Sequence, residues 1–233
     1  MRTINKELSL EERTAQDSFY QRIGKQDTAN VKRVITLVDD QAEEYFLSPD
    51  LEHVHYLFQS GEAFFAVYGI GGNLTKQGQR PDIDIMIVTN MRYQNGFLED
   101  YNDRFDDPDY EHNIEPVWRN MNQQLKEQMT ITKENELPNN YNLGLTKGKC
   151  LISLTPKNGA RKIDAVYVRS MHHHADLPSA GEEPGPQIDD TNMHFKSEAD
   201  FISKDLDTNN QPLPRVILYR ASTTDIQKPT YRP

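Results

Sequence analysis

The spacing of apolar residues switches between helical and strand periods along the chain. Ser9-Leu10-Glu11-Glu12 has the spacing of a capping box and opens a polar helix that Gly24 stops. From Val31, the apolar residues Val34, Ile35, Val38, Ala42, Tyr45 and Phe46 recur three and four apart on one helical face, and Ser48-Pro49 ends the run. A shorter helix is expected over 50–59. Residues 64–68 and 82–88 then read as strands, with about two helical turns expected over 73–79. A helical stripe of Ile114, Val117, Trp118, Met121, Leu125 and Met129 follows an acidic, Asn-rich segment at 93–113 that reads as a solvated loop. Residues 149–155 and 162–168 are two strands around Pro156-Lys157-Asn158-Gly159, a hairpin signal because Asn-Gly tolerates positive φ. Beyond them, 172–190 resembles a long surface loop, 195–206 a helix and 215–220 a strand.

Composition narrows the class. The chain has 233 residues, 36% of them hydrophobic, with 26 Lys plus Arg against 36 Asp plus Glu for a formal charge of −10. That length suits one large domain. The expected division is N-terminal helices at 1–59 packed on a core at 60–170, with a loop-rich C-terminal extension at 171–233. No apolar run approaches a membrane span, and the N-terminus lacks the apolar stretch of a signal peptide, so a cytoplasmic protein without membrane association is expected. The single cysteine, Cys150, cannot form an internal disulfide. An acidic surface is a poor match for long duplex nucleic acid, whose binding relies on basic residues releasing counterions.

The chemistry concentrates in Gly71-Gly72-Asn73 and, nine positions after Asn73, in Asp82-Ile83-Asp84. Alternation along a strand puts the Asp82 and Asp84 carboxylates on one face and Ile83, Ile85 and Ile87 on the other. Two such carboxylates repel, and a hard divalent cation between them relieves the repulsion; Mg²⁺ with oxygen ligands fits better than zinc. Asp164 lies in the apolar strand Ile163-Asp164-Ala165-Val166, where a carboxylate is costly without a charge partner. If its strand neighbours that of Asp82 and Asp84, the three acids converge and can hold two metal ions for in-line displacement at a phosphate. Gly71 and Gly72 leave backbone N–H groups open to phosphate, Asn73 offers an amide donor, and Lys76 and Arg80 offer charge.

A strand, a Gly-Gly turn, a short helix, Asp-x-Asp on the next strand and a later lone strand Asp resemble the polymerase β-type nucleotidyltransferase superfamily over about residues 60–170. The resemblance implies a nucleotidyltransferase-like mixed sheet flanked by helices, an α/β or α+β fold. It implies two Mg²⁺ ions, with Mn²⁺ as an alternative, held by Asp82, Asp84 and Asp164. Gly71 and Gly72 would hold the nucleotide phosphates. Asn73 departs from the Ser usual after the glycine, and no helical domain follows residue 170. The implied activity is transfer of a nucleoside monophosphate from an NTP to a hydroxyl or phosphate acceptor with release of pyrophosphate. The acidic surface favours a small molecule or short RNA end as acceptor, and a protein hydroxyl is a further candidate. The rival readings are a nucleotide-sensing or antitoxin-like binding module on the same fold, and a carboxylate-metal phosphohydrolase.

Other features have plainer readings. Gly69-x-Gly71 is followed by Leu74, which fails the dinucleotide fingerprint, and no Gly-Lys-Ser/Thr marks a P-loop. Three consecutive histidines, His172-His173-His174, cannot all face one point in regular structure and read as surface loop residues. Trp118 reads as core. Arg161 and Lys162 read as charges at a hairpin end, with Arg161 or Arg169 in reach of a phosphate.

Overall fold

Residues 4–47, 62–77, 80–90, 123–134, 149–169, 197–207 and 209–223 are described by a computed structural model of the chain. Its strands are β1 (Ala63–Gly69), β2 (Asp82–Thr89), β3 (Met129–Glu134), β4 (Lys149–Pro156), β5 (Lys162–Arg169) and β6 (Val216–Thr223). They form one mixed sheet in the order β3-β4-β5-β2-β1-β6, in which β2 and β5 are parallel and the other neighbours antiparallel. The named helices among the described residues are α1 (Leu10–Ile23), α2 (Lys25–Leu47) and α3 (Glu198–Lys204).

Strand alternation separates two apolar layers. Ile83, Ile85 and Ile87 of β2 and Ile163, Ala165 and Tyr167 of β5 share a core with Phe19 of α1 and Val31, Val34, Val38, Ala42 and Phe46 of α2. Met86, Val88, Val166 and Val168 face the other way, toward Phe64, Tyr68 and Phe201 of α3. The sheet is thus covered by α1 and α2 on one face and by α3 on the other. No helix among the described residues is long and apolar enough to cross a membrane.

The expected capping box is present: Ser9 Oγ accepts from Glu12 N–H at 3.1 Å, and Glu12 Oε2 accepts from Ser9 N–H at 2.7 Å. Gly24, at φ +89°, ends α1, and α2 begins one residue later, six residues before the Val31 start expected from apolar spacing. Between β1 and β2 the two turns expected over 73–79 give way to a single 3-10 turn that starts earlier, Gly71–Leu74, with residues 75–77 outside any helix and 78–79 outside the described residues. Met129 does not extend a helical stripe; it opens β3, and Lys126 to Gln128 turn the chain after the buried Leu125. The rest of that stripe, the acidic segment, His172–His174 and the helix expected over 50–59 lie outside the described residues.

Helix α3 is tied down electrostatically as well as by Phe201. Tyr68 Oη donates to Glu198 Oε1 at 2.5 Å. Arg220 on β6 donates to Glu198 Oε2 through Nε and to Glu12 Oε1 through an Nη at 2.7 Å. The Arg215 guanidinium lies over the rings of Tyr68 and Phe201, 5.5 and 5.2 Å from their centroids, and pairs with the buried Asp205 at 3.0 Å.

Candidate functional site

In the parallel pair β2–β5, Asp84 stands directly beside Asp164 and Asp82 beside Lys162. Strand geometry does the rest: residues two apart share a face, so all four side chains emerge on the face opposite α1 and α2. The carboxylates of Asp82, Asp84 and Asp164 each place an oxygen within 4.8 Å of the others. Asp84 and Asp164 are only 5% and 4% exposed. Three acids so close, two of them buried, repel strongly unless cations share the space.

The polar surroundings divide the oxygens of Asp164. Ser153, directly opposite on β4, donates its hydroxyl to Oδ1 at 2.6 Å, and Lys162 Nζ lies 3.0 Å from Oδ2. Arg80 Nη2 is 3.9 Å from Asp84 Oδ2, an ion-pair distance that a direct hydrogen bond would shorten. Asp82 Oδ1 is shut off from solvent and has no hydrogen-bond partner. A buried carboxylate oxygen left open beside two further carboxylates is the donor set that Mg²⁺ or Mn²⁺ takes, so these residues fit a hard divalent ion.

The glycine turn abuts the acids. Ile70 N–H donates to the Asp84 carbonyl at 3.1 Å, which brings the chain past the triad as β1 ends. Gly71 then adopts φ +70°, and a Cβ there would lie 3.1 Å from Asp84 Cγ and closer still to Oδ2. At Gly72 a Cβ would collide with Arg80, 2.7 Å from its Nε. Both glycines are therefore required for space, Gly71 also for conformation. As the first two residues of a 3-10 turn whose N-cap is Ile70, Gly71 and Gly72 have N–H groups with no earlier carbonyl of the turn to bond, whereas Asn73 is the first in position to bond the Ile70 carbonyl.

Other expected site residues divide into two groups. Arg80 lies beside Gly72 of the glycine turn, and Lys76 is exposed just after the turn, with its backbone N–H donating to Gly72 O at 3.1 Å. Asn73 is buried, and its amide donates inward, to the Asp82 carbonyl at 3.0 Å. That bond makes Asn73 a strut between the turn and β2. Arg161 is likewise turned inward. It donates to Asp27 at 2.7 Å, to the Ile23 carbonyl at 2.7 Å and to the Arg80 carbonyl at 3.2 Å, with Asn73 Oδ1 3.5 Å away. Its expected reach to a phosphate is replaced by a role at the junction of α1, α2 and the glycine turn. Arg169 sits at the other end of β5, opposite Thr89. Arg22 completes the clamp from α1 by donating to the Leu74 carbonyl.

Ser153 and Lys162 are the site residues that sequence reasoning missed. A usable signal existed for both. Counting outward from the centre of the Asn158-Gly159 turn puts Ser153 opposite Asp164, and Lys162 precedes Asp164 by two, hence on its face. No family model matches the chain, and no curated protein sequence does.

Proposed function

We propose that the protein is a metal-dependent nucleotidyltransferase of the polymerase β type, which transfers a nucleoside monophosphate from an NTP to a hydroxyl or phosphate acceptor. The observation that carries this reading is the convergence of Asp82, Asp84 and Asp164 beside a glycine turn that only Gly71 can make without displacing Asp84. The mixed sheet, with the paired acids on one strand and the third on its parallel neighbour, supports the same fold assignment.

In this reading Asp82, Asp84 and Asp164 hold two divalent ions. When bound, such ions would lower the barrier by neutralising phosphate charge and favouring the ionised acceptor hydroxyl. Gly71 and Gly72 let the triphosphate approach the backbone, and Arg80 adds charge at the edge of the turn. Ser153 fixes the rotamer of Asp164 through its 2.6 Å hydrogen bond, so the acid meets its ligand preorganised. The protein's contribution is mostly positioning and charge, as in phosphoryl transfer generally. The net charge of −10 favours a small molecule or a short RNA end as acceptor.

The test is incubation of the protein with each α-labelled NTP, Mg²⁺ or Mn²⁺ and cell extract, beside Asp82→Asn and Asp164→Asn. Label transfer lost in both variants is expected. Transfer that survives both removes the site assignment, and saturable, Mg²⁺-linked NTP binding without transfer favours a nucleotide-sensing module.

A further inference from the structure

We infer that Lys162 is the resident counter-ion of the acid triad, competing with divalent metal for Asp164 and passing its charge to the anionic substrate once metal enters. This rests on the carboxylate-metal reading of Asp82, Asp84 and Asp164, and it adds a residue and an order of events to it.

The register places Lys162 at the fourth corner of a square whose other corners are Asp82, Asp84 and Asp164. Its ammonium lies 3.0 Å from Asp164 Oδ2, while Oδ1 is taken by Ser153. The two partners differ in kind. Ser153 is buried on a central strand and has one short, stiff side chain. The Lys162 side chain is 40% exposed on a flexible four-carbon stem, so it can leave toward solvent without breaking the core. The oxygen of Asp164 that Lys162 covers is therefore the exchangeable one.

Charge decides what happens on exchange. Three carboxylates against Lys162 and Arg80 leave the cluster with one formal negative charge. A divalent ion in the triad reverses the sign and repels the nearby ammonium. Both side chains are 40% exposed, but Arg80 is the less mobile of the two cations, because its Nε is shut off from solvent beside Gly72, where an added Cβ would lie 2.7 Å from it. Lys162 is the one that swings, and the compensating anion within its reach is the polyphosphate of a substrate lying over the same acids. A lysine that merely balanced surface charge would have no reason to stand in register with three converging acids.

The test is a Mn²⁺ titration, followed by electron paramagnetic resonance at fixed pH and low ionic strength, of the wild type, Lys162→Met, Lys162→Arg and Asp164→Asn. Thermal melts in chelator and ATP binding at saturating Mn²⁺ accompany it. Removing the competing cation in Lys162→Met is expected to tighten Mn²⁺ about tenfold, lower the melting temperature in chelator and weaken ATP about tenfold. Lys162→Arg is expected to restore the wild-type values. A purely structural lysine would lower stability without tightening the metal, so unchanged or weaker Mn²⁺ binding in Lys162→Met overturns the inference, as does unchanged ATP binding. Should Lys162→Met fail to fold, Lys162→Gln provides the same comparison. Mn²⁺ binding that Asp164→Asn abolishes and Lys162→Met leaves unmoved defeats the role of Lys162 alone. A wild type that binds no Mn²⁺, or that binds it as well as Asp164→Asn does, defeats the metal reading with it.

Discussion

Gly71 and Asp84 occupy space that a single methyl group would make them contest. Gly71 holds φ +70°, and a Cβ there would sit 3.1 Å from Asp84 Cγ and closer to Oδ2. Gly71→Ala therefore incurs both backbone strain and displacement of an acid, a loss of about 2–3 kcal/mol with weakened Mn²⁺ binding. Gly159→Ala is the control: its φ is +77°, but nothing lies within 4 Å of the added Cβ. That variant should lose only the strain, about 1 kcal/mol, and keep metal affinity. Denaturant melts of the pair, compared with Mn²⁺ titrations, check the difference.

Like charge in the triad gives a second expectation, in which stability and ligand binding move oppositely. In chelator, Asp84→Asn should melt at or above the wild-type temperature, because it removes one of three carboxylates within 4.8 Å of each other. At Mg²⁺ or Mn²⁺ about tenfold above its Kd the wild type should gain about 1–2 kcal/mol, a rise of about 3–6 °C. Asp84→Asn should gain little. Melts with and without metal read both effects, and a wild type indifferent to metal would remove the premise.

The reach of sequence reasoning followed the range of the interactions involved. Asp82, Asp84 and Asp164 were legible because a strand imposes a two-residue period, so an acid among isoleucines stands out whatever its neighbours. That β5 lies parallel to β2, with Asp84 beside Asp164, is a long-range pairing that no local pattern encodes. Met129 follows Leu125 by four, a spacing that suits a helix, although the polar residues between them form a turn into β3. Arg161 was legible only as a charge, since its acceptors, on Asp27, Ile23 and Arg80, come together only once the chain has folded. The donor chemistry of Asn73 is local, but its direction is not: folding aims the amide at the Asp82 carbonyl.

The Arg161 junction makes a third expectation concrete. The side chains of Arg161 and Asp27 are 19% and 11% exposed, and the guanidinium also satisfies the Ile23 and Arg80 carbonyls. Arg161→Met leaves Asp27 without its cation and should lose about 3 kcal/mol, with little recovery in Arg161→Lys, which cannot reproduce the fork. Because Asn73 and Arg80 are contacted from the same guanidinium, metal affinity should fall as well. A double-mutant cycle with Asp27→Asn should show strong non-additivity, and additive losses would mean that the junction does not act as a unit.

The last expectation concerns pH and has opposite signs at the two ends. Glu12 is held below its ordinary value of 4.5, chiefly by the hydrogen bond from Arg220, against the opposing effect of burial. A depressed carboxylate contributes stability that is present above the unfolded pKa and is lost as pH falls through the folded one, so acid below about 4.5 should loosen the link between α1 and β6. The tyrosines behave in reverse. Burial raises Tyr20 to about 12, with help from Asp17, and raises Tyr68 and Tyr219 further, with Glu198 and Asp39 respectively adding to the shift. A raised phenol contributes stability that is complete below the unfolded value of 10 and declines above it. Absorbance titration of the 11 tyrosines should therefore show Tyr20, Tyr68 and Tyr219 among those that ionise late, together with unfolding, as pH rises beyond 10. Tyr68→Phe should blunt the alkaline loss and yet lower stability at neutral pH, because Glu198 keeps its burial and loses a 2.5 Å donor. If Tyr68→Phe matches the wild type at both pH values, the bond between Tyr68 and Glu198 does not hold α3 to the sheet.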